Sequence, residues 1–234
     1  MNKDFLRGAK HGMPICLGYV PVAFAFGLQA VGGGLSALQA LLISMTNVTS
    51  AGQVAGLNLM LQGGSLMQMA LTQLTINLRY ALMSLSLSQK LDGTMNTLQR
   101  MIFAFCNTDE VFAVASSQPG KVGKHYLHGL MCTPYFGWAI GTLLGGVAGS
   151  LMPEFFRTAL GIALYGMFLA IVLPPAREKK SVRVVAITAA LCSICLRYVP
   201  LLNRIGSGYA IILCAVIASC VGALFFPVDE EANS

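Results

Sequence analysis

Apolar runs of about 20 residues recur along the whole chain, parted by short polar breaks. The runs fall at about 13–31, 35–61, 66–88, 101–117, 126–149, 155–174, 182–199 and 207–226. A run of this length crosses the hydrocarbon of a bilayer as one helix. The pattern therefore predicts an all-α polytopic membrane protein with seven transmembrane helices, or eight if 101–117 crosses. The 234 residues are 56% hydrophobic and 10% charged, which no ordinary soluble domain matches. The first run follows Lys3, Arg7 and Lys10 in the manner of a signal peptide. It is too long for one and reads as an uncleaved first span.

Several runs carry polar or helix-breaking residues at their centres. Gly18, Tyr19, Pro21 and Phe24 lie in the middle of the first. Pro21 has no N–H to donate and clashes one turn back, so a break is expected here, either a packing kink or a turn beside a protein-lined cavity. The second run holds Asn47, Thr49, Ser50 and Gln53. As one continuous helix it would gather Thr46, Ser50 and Gln53 on one face, as an interhelical hydrogen-bonded seam or as the polar wall of a cavity. The third carries Asn77 and Arg79. A central arginine costs ~2.5–3.5 kcal/mol to insert, so Arg79 either faces a partner inside the protein or snorkels to the surface. Asp109 and Glu110 interrupt the run 101–117. They belong to a solvated surface helix, or to a short or re-entrant span whose acids meet protons or an ammonium. On a helix they point about 100° apart, so one at most need face Arg79.

The chain repeats weakly. Lys10-His11 recurs as Lys124-His125, Pro21 as Pro134, and Leu78-Arg79-Tyr80 as Leu196-Arg197-Tyr198, all at nearly one offset. Pseudo-repeats at about 8–117 and 121–228, each with an interrupted helix, point to a transporter with its site between repeats. The whole chain, 1–234, then reads as a single membrane transport domain. With eight crossings and the N-terminus inside, the inner segments hold Lys3, Arg7, Lys10, Lys121, Lys124, Arg177, Lys179, Lys180 and Arg183, against Lys90, Arg100, Arg157 and Arg204 outside. The positive-inside rule prefers this to seven crossings with the N-terminus outside.

The cysteines, scattered through apolar segments, read as small packing residues. Composition and motifs indicate no cofactor, no metal and no nucleic-acid partner. No GxxxxGK[ST] run is present, so the chain hydrolyses no nucleotide by a P-loop. His11, His125 and His128 sit at span ends and form no catalytic constellation, which argues against an enzyme.

Residues 8–150 resemble the AzlC family, the large subunit of bacterial branched-chain amino acid exporters. The likeness rests on Gly18-Tyr19-x-Pro21-x-Ala23-Phe24-x-Phe26-Gly27, then Gly34-Leu35-Ser36, then Ser44 nine residues before Gln53, then Asn77-Leu78-Arg79 and Thr108-Asp109-Glu110. Thr49-Ser50 is more polar than the family's usual pair, and Tyr80 stands where the family often has histidine. The resemblance implies a small four-span partner subunit of the AzlD type. It also implies a secondary exporter of neutral amino acids in the bacterial inner membrane, driven by protons. Arg79 or the Gly18–Pro21 break would hold the substrate carboxylate. Asp109 or Glu110 would take the ammonium or the coupling proton, and Phe24, Phe26 and Met60 the apolar side chain. The other expectation is an uncoupled channel for a small polar solute.

Overall fold

The computed structural model describes residues 3–93, 95–151, 153, 155, 169, 172–200, 202 and 205–226. Apart from one β-bridge between Leu91 and Val122, all regular structure among them is helical. In chain order the helices are α1 (Lys3–Gly32), α2 (Ala37–Thr46), α3 (Ser50–Leu61), α4 (Leu66–Lys90), α5 (Thr97–Phe105), α6 (Asp109–Ser116), α7 (Lys124–Leu151), α8 (Lys180–Tyr198) and α9 (Ser207–Phe225). Four of them, α1, α7, α8 and α9, are long and apolar enough to cross a membrane. The run expected at 155–174 lies for the most part outside the described residues. The chain divides into two compact units, Met1–Val54 with Ile76–Leu164, and Ala55–Thr75 with Tyr165–Ser234.

The first unit is built on α1 and α7. Going up α7, Gly129, Gly137, Gly141 and Gly145 stand against Phe5, Cys16, Val20 and Phe24 in turn. Both series advance together, so the two helices run side by side in the same direction. A Cβ on Gly145 would land on the carbonyl oxygen of Phe24. Small residues at four-residue spacing allow this backbone approach, the usual adhesive of helices in lipid. The contact also explains why the break expected at Gly18–Pro21 does not occur. α1 runs unbroken through both Pro14 and Pro21, because a proline removes one hydrogen bond while the long seam on α7 braces the helix on either side.

The breaks fall elsewhere. α2 opens with a capping box, Ser36 and Gln39 each bonding the other's backbone N–H. It runs antiparallel to α7, with Ala37 against Gly146, Ser44 Oγ 2.6 Å from Thr142 Oγ1, and Tyr135 donating to Met45 O at 2.9 Å. The helix stops at Asn47 and restarts at Ser50. Gln53 Nε2 then donates to Ser44 Oγ at 2.8 Å. Nine residues of straight helix would separate these positions by about 13 Å, so the start of α3 folds back along α2. The single polar face expected for 35–61 is thus broken at a tip, 47–49, with the start of α3 turned back on α2.

A second hairpin enters from the end where α1 begins. Asn96 and Gln99 form the capping box that opens α5, and Phe103 of α5 packs edge-on to His128 near the start of α7. The chain turns at Asn107-Thr108, where Thr108 caps α6, and Asn107 Nδ2 donates to Ser84 Oγ at 3.2 Å. α6 then returns to the same end. Lys90 bonds Ser116 O, Lys121 bonds Gln89 O at 2.6 Å, and Arg7 donates to Gln118 Oε1 at 3.0 Å. The run 101–117 therefore goes in and comes out on one side. Lys90, assigned above to the face opposite Lys121, lies beside it instead. Phe103, Val111, Ala115, Leu127 and Leu130 bury the hairpin against α7 and α1.

In the second unit α8 packs on α9, with Gly222 against Val185. The capping box Ser65–Gln68 opens α4, and Thr72 donates to Gly208 O at 3.4 Å. Arg197 lies in the last turn of α8, unlike Arg79 in mid-α4.

Candidate functional site

The tips of the two hairpins line one cavity of ≈ 180 Å³ in the first unit. Asn47, Val48 and Thr49 come from the first tip, Ala104, Phe105 and Asn107 from the second, and Asn77 and Tyr80 from α4. Local chemistry puts a helix start at each tip. Thr49 accepts at Oγ1 from the Gly52 N–H at 3.4 Å, and Thr108 accepts from the Val111 N–H at 3.5 Å. Threonine is a favoured N-cap because its oxygen satisfies a first-turn amide. The N-termini of α3 and α6, and so the positive ends of both helix dipoles, are set at the tips.

Asp109 and Glu110 occupy the first turn of α6, where negative charge complements the dipole. They diverge as helical geometry requires. Asp109 pairs with Arg79 at 2.8 Å. Arg79 also donates to the Tyr80 hydroxyl at 3.2 Å, and that hydroxyl donates to Thr49 Oγ1 at 3.5 Å. Asp109, Arg79, Tyr80 and Thr49 thus form a chain from one tip to the other. Both members of the ion pair keep about half their side-chain surface accessible.

Glu110 turns toward α1. The Tyr19 hydroxyl donates to its carboxylate and lies 2.7 Å from Thr108 Oγ1. Tyr19 in turn packs edge-on against Trp138, with ring centroids 5.2 Å apart. The aromatic pair fixes the phenol at mid-length of α1, level with the second tip.

Of the residues singled out from sequence, the structure brings Asn47, Thr49 and Asn77 to the cavity, and Arg79, Asp109, Glu110 and Tyr19 around the second tip. Ser50 begins α3 beside Thr49. Gln53 does not line the cavity; it is 1% exposed and braces the first hairpin. Gly18 faces open space and Pro21 the outside. Phe24 packs its backbone on Gly145, Phe26 is buried, and Met60 is exposed; none of these lines the cavity.

Sequence reading missed Asn107. It is 3% exposed, lines the cavity, and its Oδ1 has no hydrogen-bond partner. The signal was available: Asn107-Thr108 matches Asn47-x-Thr49 as an asparagine beside a capping threonine after an apolar helix.

A family model described as AzlC protein matches residues 14–152, more than half of the chain and inclusive of both hairpins. The inner membrane protein YgaZ of Escherichia coli is 29% identical over 95% of this chain and 91% of its own length. An uncharacterized membrane protein of Archaeoglobus fulgidus is 34% identical over 73% of this chain and 75% of its own. The branched-chain amino acid transport protein AzlC of Bacillus subtilis is 24% identical over 75% and 70%. No solved structure matches. A chain with apolar membrane-length helices and this match over 14–152 belongs to the AzlC family of membrane proteins.

Proposed function

We propose that this protein is the large subunit of a secondary exporter of neutral amino acids, branched-chain or related, in a bacterial inner membrane. It works with a small AzlD-type subunit and takes its energy from the proton gradient. The observation that carries the proposal is the meeting of two hairpin tips at a cavity lined by Asn47, Thr49, Asn77, Tyr80 and Asn107, with the Arg79–Asp109 ion pair joined to it through the Tyr80 hydroxyl. Irregular backbone at membrane depth is tolerated where it lines such a space, and discontinuous helices are how transporters build midplane sites. The Bacillus subtilis relative, a branched-chain amino acid transport protein by name, supports the same substrate class.

In this scheme 101–117 is re-entrant, while α1 and α7 cross. Of the lysines and arginines before residue 152, all but Arg79 fall at the end where α1 begins. The positive-inside rule then puts that end in the cytoplasm. The parallel course of α1 and α7 suits two halves that enter the membrane from one side.

The energetics are adequate. A tenfold uphill gradient costs ~1.4 kcal/mol, and one proton falling through ~100 mV supplies ~2.3 kcal/mol. No step requires covalent chemistry, so the chain is proposed as a carrier and not an enzyme. Proteoliposomes holding the chain and its small partner, loaded with labelled leucine, test the proposal. A proton gradient should drive internal leucine below equilibrium. Simple equilibration would replace the carrier by an uncoupled channel.

A further inference from the structure

We infer that the groove between α4 and α5 is the access route to the tip cavity from the end where α1 begins, and that the Ser84–Asn107 hydrogen bond is the partition that closes it. The inference rests on the transport proposal above and adds its path on that side.

Three observations carry it. First, the groove and the tip cavity adjoin. The groove encloses ≈ 250 Å³ between α4 and α5, and Ala104 and Asn107 line both it and the ≈ 180 Å³ tip cavity. Second, one face of α4 serves both spaces. Asn77 and Tyr80 line the tip cavity, and Ser84, Leu87 and Leu91 continue the same three- and four-residue spacing along the groove. From Asn77 to Leu91 that face extends about 21 Å. Its last turn, with Thr97 and Arg100 from the start of α5, lies at the end that holds Lys90 and Lys121.

Third, the partition is slight. Ala104 offers only a methyl group, and Asn107 Nδ2 donates to Ser84 Oγ at 3.2 Å, the one side-chain hydrogen bond of Asn107 among the described residues. A single neutral hydrogen bond shifts an equilibrium by a factor of about five, which is weak enough to open within a transport cycle. Asn107 also stands between the C-cap of α5, Cys106, and the N-cap of α6, Thr108. Its side chain can therefore swing from Ser84 without unwinding either helix. Beyond the partition, Leu87, Leu91 and Met101 alternate with Ser88 and Arg100 along the groove, a wall that passes a small solute with an aliphatic group.

The test uses the full-length chain in membrane vesicles, with the native cysteines replaced. Val48→Cys places a thiol on the first-tip wall of the cavity. A small, charged methanethiosulfonate added at the face where α1 begins reads access along the groove. Ser84→Ala should speed its reaction about fivefold, as loss of one hydrogen bond implies. Ala104→Phe, which fills the point shared by both spaces, should slow the reaction below that of the parent. Both variants should melt close to the parent; if Ala104→Phe fails to fold, Ser84→Ala alone decides. An unchanged rate in Ser84→Ala would overturn the partition, and an unchanged rate in a folded Ala104→Phe would overturn the route.

A second variant carries Ser84→Cys and Asn107→Cys together, so that Cd²⁺ can bridge the partition. Leucine export should stop with Cd²⁺ and return with EDTA, and neither single variant should respond. Continued export while titration shows both thiols occupied would overturn the partition and leave transport standing. No leucine export by the wild type, with the labelling rates as expected, would overturn the transport proposal and leave the route.

Discussion

Gln53 reaches back across the first hairpin to donate to Ser44 at 2.8 Å, and Ser44 lies 2.6 Å from Thr142 of α7. All three side chains are at most 1% exposed. This buried triad joins both arms of the hairpin to the longest helix seam in the first unit. Gln53→Leu should therefore destabilise the protein by ~1–3 kcal/mol, the cost of stranding buried polar partners. Ser44→Ala should cost at least as much, since it leaves Gln53 Nε2 buried without an acceptor and takes away the partner of Thr142. Melting curves of the purified variants check this ranking; unchanged melting in both would mean that the triad does not set the hairpin.

The Arg79–Asp109 pair bridges α4 and the second tip. Its members are half exposed, so its value for stability is small, ~0–1 kcal/mol, and its proposed value is for transport. Arg79→Ala and Asp109→Asn should each cut leucine export by about tenfold or more while leaving melting within a few degrees. A double-mutant cycle should show strong coupling between the two sites. Independent effects would show that they act separately.

How far sequence alone reaches is plain from these residues. The apolar runs and the helical class register as periodicity, and Arg79, Asp109 and the 47–53 segment register as polar groups within apolar runs. The two hairpins do not, because an apolar run of 17 residues or more looks the same whether it crosses or turns at its middle. The turn signals were local: the Asn96–Gln99 capping box and the Thr108 cap divide 97–116 into two short helices, and Asn47-x-Thr49 ends one helix and caps the next. Pro21 pulled in the wrong direction, since the glycines that brace α1 lie more than a hundred residues away on α7. Asn107 gains its interest from a missing partner, which only coordinates reveal.

Tyr19 is placed to report on Glu110. Its ring is fixed against Trp138, and its hydroxyl donates to the Glu110 carboxylate. Tyr19→Phe removes the hydroxyl and keeps the ring packing. It should leave the melting temperature nearly unchanged and lower proton-driven export by about tenfold, a typical loss for one hydrogen bond to a charged group. Glu110→Gln should lower export at least as far, and the double variant should be no worse than Glu110→Gln. Proton uptake by a pH-sensitive dye inside proteoliposomes, measured with leucine flux, checks the order. Wild-type flux in either single variant would remove the pair from the proton path.

The glycines of α1 and α7 separate packing from inert positions. Gly145 has no space for a Cβ, which would overlap Phe24 O, whereas Gly18 has nothing within 4 Å. Gly145→Leu should prevent stable folding, since it forces apart a seam that runs the length of both helices. Gly18→Ala should be neutral, or stabilise by up to ~1 kcal/mol through helix propensity. Expression level and melting temperature measure both. An unfolded Gly18→Ala would show that this face of α1 is covered in the assembled protein.

Sidedness gives the most direct check on the hairpins. Lys90 bonds Ser116 O, Lys121 bonds Gln89 O, and Arg7 bonds Gln118, so the loops near 93 and 120 share the end where α1 begins. The Gly33–Gly34 turn follows α1 and lies at its other end. In a variant with the native cysteines replaced, single cysteines at Gly93 and Gly120 should be labelled by a membrane-impermeant maleimide from the same face as one at Phe5. A cysteine at Gly33 should be labelled from the opposite face. If 101–117 crossed, the labels at 93 and 120 would fall on opposite faces. The two tips would then no longer meet, and the cavity between them would lose its second wall.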